Sequence, residues 1–294
     1  MTTVHVLVVK ATWGPAPETK LAAIEQQATT FFRNASFGTV QLQFDETPWL
    51  QAFDSPDVCA RYDTLSADAA NAAAQWTPSS YDRVVDLTPC FGDSVGNPHT
   101  RTAIVSLGIL DAKVLEHELG HTFGMSHAGG LTCDRTCRLD QYANPIDVMG
   151  TGSGDFGALQ KVQAGWPVNV VDAVVPGTYT LAAIERSSTL PQALVLHRGP
   201  YDLWIEHRAA IGNDATITRT VWAAATAGVL VHEAPAGSPT IPFDERRPDF
   251  LLGTPRGNDP FIATGKRFVI PHVVEIDVVK RTSTTVTVRL KPLG

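Results

Sequence analysis

At 294 residues the chain is long enough to bury two hydrophobic cores, so two domains are expected. Its 30 acidic and 23 basic side chains give a net charge of −7, which argues against the basic footprint of a nucleic-acid binder. Hydrophobic residues make up 44% of the sequence but fall in short runs broken by charges, Gly and Pro, far from the ~18 apolar residues of a membrane span. A soluble monomer without nucleic acid is the expectation.

The opening MTTVHVLVVKATW has no basic leader or cleavage site and reads as a first strand, VHVLVV. If the protein is exported, its targeting segment and any pro-segment lie outside these residues. PETKLAAIEQQATTFFRNA places Leu21, Ile24, Ala28 and Phe31 at helical spacing, and VQLQF alternates like a half-buried strand. An Ala-rich second helix is expected from about Asp63 to Trp76, then strands in YDRVVDL and RTAIVSL, then a third helix. From about Val174 the pattern changes to short β-rich runs punctuated by Gly, Pro and Asn: GTYTLAAI, ALVLHR, YDLWIEHR, GVLVHEA, RFVI, VVEIDVV and TVTVRL. The expected fold is therefore a mixed α/β (α+β) domain over residues 1–168, followed by an all-β sandwich-like domain over 175–294. The joint falls in GWPVNVVDAVVPG.

Four cysteines, Cys59, Cys90, Cys133 and Cys137, allow three pairings. Cys59–Cys90 with Cys133–Cys137 gives the simplest topology and would favour an exported, extracellular protein. Four buried thiols is the alternative; a four-cysteine zinc site lacks its usual C-x2-C spacing.

Residues 117–127 read HELGHTFGMSH, which matches H-E-x-x-H-x-x-G-x-x-H at all five fixed positions. With this composition, coincidence would give that pattern in only about a few of 10^5 chains of this length. Helix positions four apart differ by about 40° in azimuth and about 6 Å in rise, so His117 and His121 can hold one ion. A continued helix would carry His127 roughly 240° away from His121, so the chain has to turn, and Gly124 is the residue that allows it. Three neutral imidazoles around one zinc ion leave a position open to water, and Glu118 is placed as general base and acid. The remaining histidines, His5, His99, His197, His207, His232 and His272, read as ordinary core or surface residues.

With this extended motif and a methionine 22 residues past His127, in IDVMG, the chain resembles the metzincin metallopeptidases, in which a methionine turn lies beneath the metal. The resemblance implies a metzincin-like catalytic domain with a twisted mixed sheet and an active-site helix, and Met149 packed under the histidines. Within that clan, HELGHTFGMSHAGG, QYANPIDVMG and FGALQKVQAGW together resemble the gametolysin-like peptidases, and GTYTLAAI, YDLWIEHR and GVLVHEA resemble strands that follow the catalytic domain there. What this implies is an extracellular zinc endopeptidase acting on protein or glycoprotein substrates, with RTAIVSL as the edge strand lining the cleft. The loop containing Cys133 and Cys137 either shapes specificity or is a solvated connection. Some metzincins carry a tyrosine two residues after the methionine; here that residue is Thr151, and Tyr142 is a candidate substitute for transition-state assistance.

The competing function is a non-catalytic zinc-containing adhesion or carbohydrate-binding module, against which Glu118 speaks, because a structural site needs no base. Trp204, Trp222 and Tyr201 either line a binding surface or fill the core. The acidic loops GNDAT and PFDERRPDF could bind calcium but match no defined calcium-loop pattern.

Overall fold

A computed structural model describes residues 1–60, 62–90, 92, 94–97, 99–133, 137–219, 225–226, 228–237, 249–252 and 261–293. The chain separates into two compact units, Met1–Met125 and Ser126–Gly294.

The first unit runs β1 (Thr2–Thr12), α1 (Leu21–Ala35), β2 (Val40–Glu46), β3 (Leu50–Gln51), α2 (Tyr62–Ala72), β4 (Arg83–Thr88), β5 (Val95–Asn97), β6 (Thr102–Ser106) and α3 (Ala112–Thr122). Its sheet has the order β2-β1-β4-β6-β5, with β3 pairing beside β1. β1, β2, β4 and β6 are parallel, whereas β5 is antiparallel to β6. The apolar run in β1 explains its central place: Val6, Leu7, Val8 and Val9 are all buried, as a strand covered on both faces requires. On one face, Leu7, Val9 and Ala11 share a core with Leu65, Ala69 and Ala73 of the α2 region. By strand alternation Val6 and Val8 point to the other face. There α1 buries Leu21, Ala28, Phe31, Phe32 and Ala35, with Phe32 stacked 5.3 Å from Phe123 at the end of α3. α2 is shorter than the expected span to Trp76, because the chain tightens into a 3-10 turn at Ala74–Trp76 and then reverses at Thr77, φ +50°, ahead of Pro78. Cys59 and Cys90 are joined by a disulfide, which settles that pair against the free-thiol alternative.

The strand in RTAIVSL, β6, is not an edge: it lies between β4 and β5, and among the described residues the edge is the three-residue β5. The alternation in TAIVS specifies a strand but carries nothing about its neighbours.

The second unit contains β7 (Ala128–Cys133), β8 (Cys137–Asp140), α4 (Ala158–Gln163), β9 (Val170–Asp172), β10 (Gly177–Ala182), β11 (Ala193–Arg198), β12 (Tyr201–Glu206), β13 (Gly228–Pro235), β14 (Asp249–Leu251), β15 (Phe261–Ala263), β16 (Arg267–Ile270), β17 (Val274–Arg281) and β18 (Thr285–Lys291). One sheet has the order β8-β7-β14-β13-β12-β11-β9, with β15 also on β13; the other is β10-β18-β17-β16. A single core cluster draws on both, with Leu194, Leu203, Ile205 and Val231 from the larger sheet and Ile276, Val278, Val286 and Val288 from the smaller. The opposite face of the larger sheet is covered as well: Ala193, Val195 and Trp204 pack with Ala158 and Leu159 of α4. Two covered faces explain why YDLWIE is buried at every position after Tyr201. Trp204 is thus a core residue, Tyr201 is exposed, and Trp222 lies outside the described residues.

The joint expected at 168–175 lies inside this second unit. β7 pairs in parallel with β14 and antiparallel with β8, so residues from 128 onward already belong to the downstream sheet. The backbone sets Cys133 across from Cys137 in the β7–β8 hairpin, but the disulfide expected there rests on side chains outside those described.

Candidate metal centre

Helix α3 begins where Asp111, in extended conformation, accepts a 2.8 Å hydrogen bond from the Val114 amide and so satisfies a donor the helix leaves open. Leu115 and Leu119, four apart, are buried and anchor the helix, which leaves His117 and His121 as a second i, i+4 pair rotated from them. The Nε2 atoms of His117 and His121 stand 3.1 Å apart. His121 Nδ1 lies 2.9 Å from the Met125 carbonyl, which can only accept, so Nδ1 carries the proton and Nε2 presents its lone pair.

The helix ends in a Schellman turn. The Gly124 amide donates to the His121 carbonyl at 2.8 Å and the Met125 amide to Gly120 at 3.2 Å, with Gly124 at φ +92°. Only glycine takes that backbone conformation without strain. The reversal allows His127 to rejoin the first two histidines: one ligand-capable atom from each of His117, His121 and His127 lies within 4.8 Å of the others. His121 and His127 are buried and His117 is half-buried. Among the described residues this is the group of His, Cys, Asp and Glu side chains able to hold a metal ion.

The donor set fits such an ion. Two nitrogens about 2.0–2.1 Å from a tetrahedral zinc would sit about 3.3 Å apart, close to the 3.1 Å between His117 and His121. Three imidazoles without a carboxylate suit zinc or another late first-row ion better than calcium or magnesium. Glu118 follows His117 on α3 and is buried.

The segment after the motif is organised by Asn144 and Asp147, both fully buried. Asn144 Oδ1 accepts from the Ile146 and Asp147 amides, and Asp147 Oδ1 accepts from the Met149 amide at 2.8 Å. Met149 is fully buried, and its carbonyl accepts from the Ala128 amide at 2.9 Å, one residue past His127. Tyr142 is 40% exposed, with its ring centroid 4.2 Å from that of His127, so this candidate does stand beside a ligand. Thr151 hydrogen-bonds to the Asn144 carbonyl and belongs to the turn. His197, His207 and His232 make other contacts: His197 with Asp172 and Asp202, His207 with the Gly228 carbonyl, His232 with Glu206. The GNDAT loop falls in a 3-10 segment, where Asp214 pairs with Arg208; much of PFDERRPDF lies outside the described residues.

Two contributors escaped the sequence reading. A Cβ built on Gly96 of β5 would overlap the Glu118 carbonyl oxygen and lie 2.6 Å from His121 Cβ, so glycine there lets the edge strand press directly on α3. The second is Arg208, whose guanidinium is fully buried among carboxylates. The glycine has no local signal; a lone arginine in an apolar strand end, IEHRAA, is a weak one.

No protein-family model matches the chain, and no curated protein sequence matches it. Among solved structures, it is similar to an archaemetzincin from Methanopyrus kandleri, at 18% identity and a TM-score of 0.37, over 55% of this chain and 93% of that one.

Proposed function

We propose that the protein is a zinc-dependent endopeptidase. The observation that carries this reading is the convergence of three imidazoles, His117, His121 and His127, with a buried glutamate, Glu118, on the helix that bears the first two. When bound, zinc would polarise the scissile carbonyl and acidify a water molecule. His117, His121 and His127 would hold it, with the His121 tautomer fixed by the Met125 carbonyl. The Glu118 carboxylate takes a proton from the attacking water as the carbon–oxygen bond forms, and delivers it to the amine as the carbon–nitrogen bond breaks. Tyr142, whose ring lies beside His127, would donate a hydrogen bond to the developing oxyanion.

The edge strand β5 supports cleavage within extended chains. It ends the sheet, and an extended peptide can add to such an edge through main-chain hydrogen bonds, with α3 directly behind it. Proteins or glycoproteins are the proposed substrates, and the gametolysin-like peptidases are the family the motifs resemble. The Cys59–Cys90 disulfide supports an extracellular location. The two sheets sharing one core support a sandwich-like domain in the β-rich half of the chain.

The test is metal removal. Chelation should abolish cleavage of an unfolded protein substrate, and stoichiometric zinc should restore it. Undiminished cleavage by protein shown to be metal-free would reject the reading.

A further inference from the structure

The buried ion network of the second unit reaches the metal ligand His127. Arg208 donates from Nε to Glu206 at 3.0 Å, from Nη1 to the Asp155 carbonyl at 2.8 Å, and from Nη2 to Asp147 Oδ2 at 3.1 Å; Asp214 pairs with Nη1 at 3.3 Å. None of these side chains is more than 1–2% exposed. A desolvated guanidinium with this many partners has one low-energy orientation, and its planar fork can bridge several acceptors where a lysine could not.

Asp147 is the member that faces two ways. Oδ2 takes the Arg208 bond and a 2.6 Å bond from the Gly157 amide, while Oδ1 accepts the Met149 amide. Its carbonyl also accepts the Gly150 and Gly152 amides. The turn from 144 to 152 is therefore wound around one aspartate. That turn in turn grips Ala128 on both sides: the Met149 carbonyl accepts the Ala128 amide, and the Ala128 carbonyl accepts the Asn144 amide at 3.2 Å. The grip leaves no slack, because a Cβ on Gly150 would overlap the Asn144 carbonyl and come within 2.7 Å of the Ala128 carbonyl. The peptide that follows His127 is thus fixed by a hydrogen-bonded series running Arg208, Asp147, Met149, Ala128.

We propose that Arg208 and Asp147 are positioning residues for the metal: through the Met149 turn they set the backbone that aims His127. This rests on the zinc reading of the triad. Neighbouring groups that orient a ligand typically carry about 10–100-fold in metal affinity. Glu206 provides the internal control: it bonds the same guanidinium and the Ala158 amide and pairs with His232, partners that all lie outside the turn from 144 to 152.

The experiment compares Asp147→Asn, Arg208→Lys and Glu206→Gln with wild type, each purified metal-free. Apo-protein unfolding is measured by denaturant, and zinc affinity by competition with a chromophoric chelator where every variant is folded; cobalt absorption spectra report ligand geometry. The expected result is that all three lose stability, while zinc affinity falls about 10–100-fold in Asp147→Asn and Arg208→Lys with an altered cobalt spectrum, and stays near wild type in Glu206→Gln. Should Arg208→Lys not fold, Asp147→Asn against Glu206→Gln decides alone. Equal zinc affinity in Asp147→Asn and Glu206→Gln overturns the inference and leaves the network purely structural. A wild type that binds no zinc overturns the triad reading, and this inference with it.

Discussion

Gly124 and Gly96 are two positions close to the histidines at which an added methyl group meets strain or helix backbone. At φ +92°, Gly124 sits where an L-residue costs about 1–2 kcal/mol, and the turn it makes governs the return of His127. Gly124→Ala should lower stability by about that amount in denaturant unfolding and weaken zinc in chelator competition, although no ligand is touched. Unchanged zinc affinity would show that the turn tolerates the strain without moving His127. For Gly96→Ala the obstacle is helix backbone, which cannot rotate away, so β5 has to leave α3; a loss of about 1–3 kcal/mol and reduced cleavage of an extended peptide are expected. Equal stability and turnover would remove β5 from the account. The ligands were legible in the sequence because their spacing is fixed by covalent helix geometry. Gly96 and Arg208 were not, because they act through contacts between segments far apart in the chain.

Among the elements, those with a clear hydrophobic period could be read directly. β1 declared itself by VHVLVV, α1 by Leu21, Ala28 and Phe31, and β12 by an apolar run that turns out to have both faces covered. β5 could not, since three residues containing a glycine carry no period, and the edge role went to β6 instead. α4 spans only six residues, below the length at which periodicity speaks. At this scale the disulfide makes a separate prediction. Cys59 sits in a 3-10 turn and Cys90 just after β4, and the link closes a separation of 31 residues. Loop-closure entropy for that length amounts to about 3–4 kcal/mol, so Cys59→Ser with Cys90→Ser should lower unfolding stability by a comparable amount. A denaturant midpoint that does not move would mean the unfolded chain is already constrained there.

At the level of the whole molecule, the division of the chain was the least legible feature. Composition placed the change near 168–175, where strands become continuous, yet the two compact units part between Met125 and Ser126, since pairing of β7 with β14 is a long-range event no local pattern encodes. Global stability should also depend on pH. Burial pushes the carboxyls of Glu25 and Asp86 up to about 7 each, with Glu46 adding to the effect at Glu25 and a Ser66 hydrogen bond opposing it at Asp86. Both bind a proton more tightly folded than unfolded, so the stability they contribute is complete below about pH 4 and is lost as pH rises through 7. Asp86→Asn should flatten that decline, by up to a few kcal/mol at pH 8, in unfolding measured from pH 5 to 8. An identical slope in the variant would assign the pH dependence elsewhere. A hydrolytic site built from the histidine triad and Glu118 is tested by cleavage of an unfolded protein by wild type and by Glu118→Gln, with bound zinc quantified in each. About one zinc is expected in both, with a loss of roughly 10^2-fold or more in cleavage only in the variant; equal cleavage by the two proteins would contradict such a site.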